Sequence, residues 1–265
     1  MSLADRTPRG PRILTIDLER LPGEVELDVW EPRDFKRLNY VHPDRWKTLP
    51  STLCFSAQWY GEDRMMFSAL WHKGGYEAMI WRAWHLLNLA DIVVGYNSRQ
   101  ADEKWLRSDF VTLGIGPPSP YKSVDLFLVA RREFSFESKS LRHLCDRLGI
   151  ENKDGHYSAQ EAKAAAAGNR PAQSRMRAYN GQDVRVTEQA YDRLGAYIRE
   201  HPHYGIYTGT ERCCFRCGSE NLVQDKSKPY TATAMTQYAL LRCADCGAWT
   251  RLNHRRHNVT TRAAR

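Results

Sequence analysis

Cysteine placement constrains this chain most. Five of its seven cysteines fall close together, as Cys213, Cys214, Cys217, Cys243 and Cys246. Two of the runs, Cys214-Phe215-Arg216-Cys217-Gly218 and Cys243-Ala244-Asp245-Cys246-Gly247, share the spacing Cys-x-x-Cys-Gly. In a chain with no secretory features, paired Cys-x-x-Cys points to metal rather than to disulfides. Four thiolates around one tetrahedral Zn²⁺ leave no open position, so the expected site is structural. The glycine after each second cysteine lets the turn fold back, bringing backbone amides toward the sulfurs. Leu240 to Arg242 and Ala248 to Thr250 flank the second pair as strands, and the module reads as a small C-terminal zinc ribbon. Cys213 is an alternative to Cys214, although Cys214 gives the usual gap; His254 and His257 enter only if a thiolate drops out. Cys54 and Cys145 stand alone in apolar surroundings and read as buried packing residues.

Charge separates the same C-terminal region from the rest. The net charge is +8 over 265 residues. Residues 201–265 hold ten Lys or Arg against four Asp or Glu, which leaves +2 for the first 200. A basic tail on a nearly neutral body suits a polyanion partner, nucleic acid above all, or serves only to keep the chain in solution. Apolar runs such as Ile92-Val93-Val94 are far shorter than the roughly 20 residues of a membrane span. The N-terminus has no apolar run of the secretory kind. The expectation is a soluble, cytoplasmic protein without a membrane partner.

The first 200 residues alternate strand and helix patterns, an α/β arrangement whose strand order the pattern does not give. Arg12 to Leu18 is a buried-strand run; residues 20–50, rich in proline and charge, suggest no firm structure. Leu53 to Tyr60 and Met65 to Ala69 read as strands around the turn at Gly61. Residues 76–89 have helical periodicity, with Met79, Trp81, Trp84, Leu87 and Leu89 as the expected apolar face. Asp91 to Gly95 is a strand, about 102–113 a helix ended by Gly114, and Ser123 to Leu126 a last short strand. Helices follow over 139–148, 159–167 and 172–197. His201-Pro202-His203 breaks the last helix, so the division is a body of residues 1–200 and a ribbon with basic tail over 201–265.

Several acids stand out on this frame. Asp17 and Glu19, two apart on the first strand, leave the same face of the sheet. Two carboxylates on one buried face are costly unless a cation neutralises them, yet Asp-x-Glu alone is equally a surface pair at a strand end. Asn97 and Asp102 follow the strand that ends at Gly95, and Asp102 alone reads as a helix-initiating acid. Tyr179 and Asp183 are four apart and share a helix face. Gly181 between them costs helix stability, which suggests that something approaches the backbone there.

Taken in order, Asp17-x-Glu19, Asn97 with Asp102, and Tyr179-x-x-x-Asp183 resemble the DEDDy branch of the 3′–5′ exonucleases, which includes polymerase proofreading domains. The resemblance spans residues 10 to about 197 and includes Val94-Gly95-Tyr96-Asn97, where relatives often have Val-Gly-His-Asn. It also takes in the connector from Ser123-Val124-Asp125 through Lys139 to Leu144. Two positions depart from the pattern: Arg20 stands where relatives commonly have Thr, and Tyr96 replaces the frequent His.

The resemblance implies a ribonuclease H-like mixed sheet of about five strands flanked by helices. It implies two Mg²⁺ or Mn²⁺ ions, which suit carboxylate oxygens, with Asp17 bridging both. Glu19 and Asp183 would complete the first site, and Asp102 would hold the second largely through water. Tyr179 would orient the attacking water, since a phenol of ordinary pKa near 10 is a weak base. Asn97, Arg242, Arg251, Arg255 and Arg256 are the expected nucleic-acid contacts. The expected activity is hydrolysis of DNA from single strands or 3′ ends in replication, proofreading or repair. A DNA polymerase or other replication protein is the expected docking partner of the ribbon. The alternatives are an exoribonuclease and a non-catalytic binding protein on the same fold.

Overall fold

The computed structural model describes residues 10–31, 40–151 and 157–261. Nine residues of β1 (Ile13–Leu21) form the centre of a five-stranded sheet. Its sequence alternates two kinds of side chain, and both faces of the strand are covered. Leu14, Ile16 and Leu18 enter one core, while Ile13 enters the other. Asp17 and Glu19 share the parity of Ile13 and so leave on its side.

A two-stranded pair, β2 (Glu24–Val25) and β3 (Trp46–Thr48), follows β1, giving some order to the stretch that suggested none. Residues 32–39 of that stretch lie outside the described residues. Next come β4 (Ser51–Trp59), β5 (Met66–Ala69), α1 (Gly75–Leu89), β6 (Ile92–Gly95), α2 (Asp102–Thr112) and β7 (Lys122–Asp125). The sheet runs β5-β4-β1-β6-β7, with β4 antiparallel to β1 and β6 and β7 parallel to it. It is a mixed sheet flanked by helices, as the resemblance implied. The chain continues through α3 (Leu126–Glu133), α4 (Leu141–Leu148), α5 (Ala159–Ala166) and α6 (Arg170–Leu194).

Helices cover both faces. Met79, Ile80, Ala83 and Leu87 of α1 and Leu106 and Phe110 of α2 pack on the Leu14–Ile16–Leu18 side. Val186, Tyr191 and Leu194 of α6 and Leu144 of α4 pack on the Ile13 side. Each Met, Ile, Leu, Val or Phe among these contributes about 1.5–3 kcal/mol by leaving water. Two expectations need correction. On α1 the buried face is Met79–Ile80–Ala83–Leu87, whereas Trp81 and Leu89 are 39% and 46% exposed. Leu126 begins a helix rather than ending a strand, because the Asp125 carboxylate accepts the N–H groups of Phe127 and Leu128 and caps α3. Cys54 and Cys145 are fully buried in the core.

Past α6 a short helix, α7 (Gly205–Thr208), precedes the strands β8 (Leu222–Val223), β9 (Tyr230–Ala232), β10 (Thr236–Cys243) and β11 (Trp249–Asn258). These form a second sheet, β11-β10-β8, with β9 also on β10. No helix among the described residues is long and apolar enough to cross a membrane.

Candidate metal centres

The α6 helix lies across the sheet face from which Asp17 and Glu19 project, and it brings Asp183 to them. A carboxylate oxygen from each of Asp17, Glu19 and Asp183 can be chosen so that all three lie within 4.8 Å of one another. Asp102 comes from the start of α2 and is 6% exposed. Its carboxylate accepts the Leu18 N–H at 3.0 Å and raises the cost of charging Asp17 and Glu19, but it is not one of the mutually close three.

Among the described residues, no lysine or arginine forms an ion pair with any of these four acids. Burial raises all four, and for Asp17 and Glu19 repulsion from the neighbouring acids adds to it. Asp17 lies well above the carboxylate range, and Glu19 rises to about 8. Asp102 is pushed up to about 7 and Asp183 to about 6, in both cases mainly by burial. Such a site takes up either protons or cations. Hard carboxylate oxygens at this separation fit Mg²⁺- or Mn²⁺-like ions.

Tyr179 lies beside Asp183 on α6, close enough for each to shift the other's protonation, and its ring stacks on Tyr157 with centroids 6.3 Å apart. Burial and then the surrounding acids hold the phenol above its usual range, so it stays a neutral donor. Asn180, next to it, was not among the residues singled out by sequence. Its amide Nδ2 donates to the Asp17 carboxylate at 2.6 Å and to the Asp17 carbonyl at 3.2 Å. Asn180 is fully buried, and those two bonds fix the orientation of Asp17. Only its position inside Tyr179-x-x-x-Asp183 could have flagged it.

Gly181 has no close neighbour. A Cβ built there would lie 3.8 Å from Met65 Cγ and 3.9 Å from Ser56 Oγ, which is ordinary contact. No atom of the described protein makes a tight approach at that glycine.

Asn97 adopts a left-handed conformation, φ 60°, in the loop after β6. The Asp125 carboxylate holds that loop by accepting the N–H groups of Asn97 at 2.9 Å and Arg99 at 3.1 Å. The two departures from the family pattern turn away from the acids. Tyr96 donates its hydroxyl to the Lys139 carbonyl at 2.6 Å. Arg20 donates to Thr52 Oγ1 and the Pro50 carbonyl, lies 3.9 Å from Asp109, and stacks over Trp105.

The second centre is the cysteine cluster. The sulfurs of Cys214, Cys217, Cys243 and Cys246 all lie within 4.8 Å of one another, with Cys214 to Cys246 at 3.5 Å and Cys217 to Cys243 at 3.7 Å. Bonds of about 2.3 Å to a tetrahedral ion put sulfurs at close to that separation, so the four fit one metal ion. Cys213 lies outside the cluster, its thiol donating to the Thr210 carbonyl at 3.5 Å. His254 and His257 are exposed on β11 and do not join it.

Sequence also gave no hint of Arg216, inside the first knuckle. Its side chain is buried against α6, over the Tyr191 ring at 4.0 Å and 3.3 Å from the Asp192 carboxylate. Tyr60 donates to the same carboxylate at 2.7 Å. The four ribbon arginines divide between faces. Arg242 pairs with Trp249, Arg251 lies over Tyr238, and Arg255 sits opposite Tyr238, all on one face of β10–β11. Arg256 covers Tyr230 on the other.

No protein family and no curated protein matches this chain. Among solved structures it is similar to the family B DNA polymerase of the hyperthermophilic archaeon Pyrobaculum calidifontis, with TM-score 0.51 and 16% identity. The alignment covers 87% of this chain and 33% of that one, so the chain spans about a third of the polymerase's length. At that identity the likeness establishes a shared fold.

Proposed function

We propose that this protein is a metal-dependent 3′–5′ exonuclease that hydrolyses phosphodiester bonds of DNA. The observation that carries the reading is the convergence of Asp17, Glu19 and Asp183 within 4.8 Å, where no lysine or arginine among the described residues forms an ion pair with them. A protein without metal chemistry gains nothing from holding these repelling acids together. Likeness to a DNA polymerase supports a nucleic-acid substrate.

In this reading Asp17, Glu19 and Asp183 would hold one Mg²⁺ or Mn²⁺, and Asp17 and Asp102 would hold a second. The ions when bound offset the charge that builds on the attacking and leaving oxygens. Tyr179 holds the attacking water in line through its hydroxyl, and Asn180 keeps Asp17 oriented. The water oxygen forms a bond to phosphorus as the bond from phosphorus to the 3′ oxygen breaks. The products are a nucleoside 5′-monophosphate and a strand ending in a new 3′ hydroxyl. Asn97, on its loop after β6, contacts the strand end.

Residues 1–200 form the catalytic body and residues 201–265 a ribbon closed by one structural Zn²⁺ on the four cysteines. The ribbon's Arg242, Arg251, Arg255 and Arg256 tether the nucleic acid, and the same module offers a replication protein a place to dock.

Incubating the purified protein with 3′-labelled and 5′-labelled DNA and RNA, with and without Mg²⁺, tests this. Prompt loss of the 3′ label with a ladder of shortened 5′-labelled DNA is expected. The same ladder on RNA alone would make the protein an exoribonuclease. Intact strands throughout would leave a binding protein.

A further inference from the structure

Between the end of α6 and the ribbon lies a crevice of about 1000 Å³. Arg199 beyond α6, Arg212 and Phe215 at the first knuckle, and Trp249 and Arg251 on β11 line it. The strand β11 is the edge of its sheet, so one side of the crevice is a free strand edge. Eleven residues of helix, about 16 Å, separate Asp183 from Leu194 at the end of α6. The crevice is therefore a different place from the carboxylate cluster.

Its charge is one-sided. Three arginines line it against one carboxylate, Glu211. Arg199 is already paired with Glu133 at 2.9 Å, which leaves Arg212 and Arg251 as cations for a visitor. The Arg251 guanidinium is held 4.2 Å over the Tyr238 ring. Two residues away, Trp249 is 42% exposed. An indole left in water is costly and is a ready stacking surface. Exposed ring and cation alternating along one strand match a single-stranded nucleic acid, which offers base faces and phosphates in turn. A duplex hides its base faces. An acidic peptide added to the β11 edge would use backbone groups and has no need of the indole.

We propose that this crevice binds single-stranded nucleic acid, with a base stacked on Trp249 and phosphates on Arg212 and Arg251. This rests on the nucleic-acid reading above but not on catalysis. The test is binding of fluorescent oligothymidine to the full-length protein without added Mg²⁺ or Mn²⁺, at two salt concentrations. Trp249→Ala should weaken binding about tenfold or more, and Trp249→Phe should restore it to within about threefold. Replacing Arg212 and Arg251 with Ala together should flatten the salt slope by about 1.4, the single-strand value for two phosphate contacts. Zinc counted in each variant verifies that the ribbon has folded. Parent-like binding by the Trp249→Ala and arginine variants, or displacement of the oligonucleotide by an equimolar polyglutamate peptide, would overturn the proposal. Binding that follows this pattern in a protein that hydrolyses nothing would overturn the exonuclease reading and leave the crevice standing.

Discussion

Asp17 sits where its own burial and three neighbouring acids all oppose its charge. The same tension sets how the protein responds to pH. Glu19, Asp102 and Asp183 have folded-state values of about 8, 7 and 6, above the ordinary range near 4 that they recover on unfolding. The folded state therefore binds more protons, and stability is lost as pH rises from about 4 to about 8. Mg²⁺ or Mn²⁺ takes the place of those protons, so its stabilising effect should grow across the same window. Thermal melts at about pH 5 and about pH 8, with and without Mg²⁺, check this. The gain should be larger at the higher pH; an equal gain would mean that the ion binds elsewhere. Tyr179 acts as a donor, so Tyr179→Phe should slow turnover by roughly 10²-fold while metal affinity holds. An undiminished rate would reduce Tyr179 to a packing residue.

At the scale of elements, β1 and α6 make the site between them. The alternation Ile13-Leu14-Thr15-Ile16-Asp17-Leu18-Glu19 made one half legible, because strand parity alone puts the two acids on one face. The 179–183 spacing made the other half legible for the same reason on a helix. Neither pattern says that α6 crosses β1, since strand order and helix placement depend on contacts remote in sequence. Asn180 reaches Asp17 across 163 positions of chain, and local periodicity carries no trace of such a bond. The face expected for α1 mixes two sides of the helix: at about 100° per residue Trp81 lies opposite Met79 and stays outside, while small Ala83 falls beside Met79 and is buried. The Asp125 cap of α3 was missed because an acid at a strand end looks the same before and after it turns into a helix. Gly181 was read as a sign of close approach, but its surroundings leave room. Gly181→Ala should therefore stabilise the protein by up to about 1 kcal/mol through helix propensity, without loss of activity. Denaturant melts check it, and destabilisation would mean that α6 lies tighter on β4 than its contacts indicate.

On the scale of the whole molecule, the cysteine cluster is tied to the body through Arg216. That side chain is 5% exposed and faces Tyr191 and Asp192 on α6, the helix that also carries Tyr179 and Asp183. Arg216→Ala would leave an unfilled socket beside Gly195 and Tyr191. It should keep its zinc yet become more readily cut by protease near residues 201–212, because the link rather than the metal site is lost. Unchanged protease resistance would mean that other contacts hold the two parts together. Metal-dependent hydrolysis at Asp17 is decided by comparing the parent with Asp17→Ala on 3′-labelled DNA, with and without Mg²⁺. Mg²⁺-dependent release of label is expected from the parent and none from Asp17→Ala, whose metal-free form should also melt at a higher temperature than the parent because repulsion is relieved. Release by Asp17→Ala within about threefold of the parent would contradict that role for Asp17, since losing a ligand shared by both ions should abolish turnover.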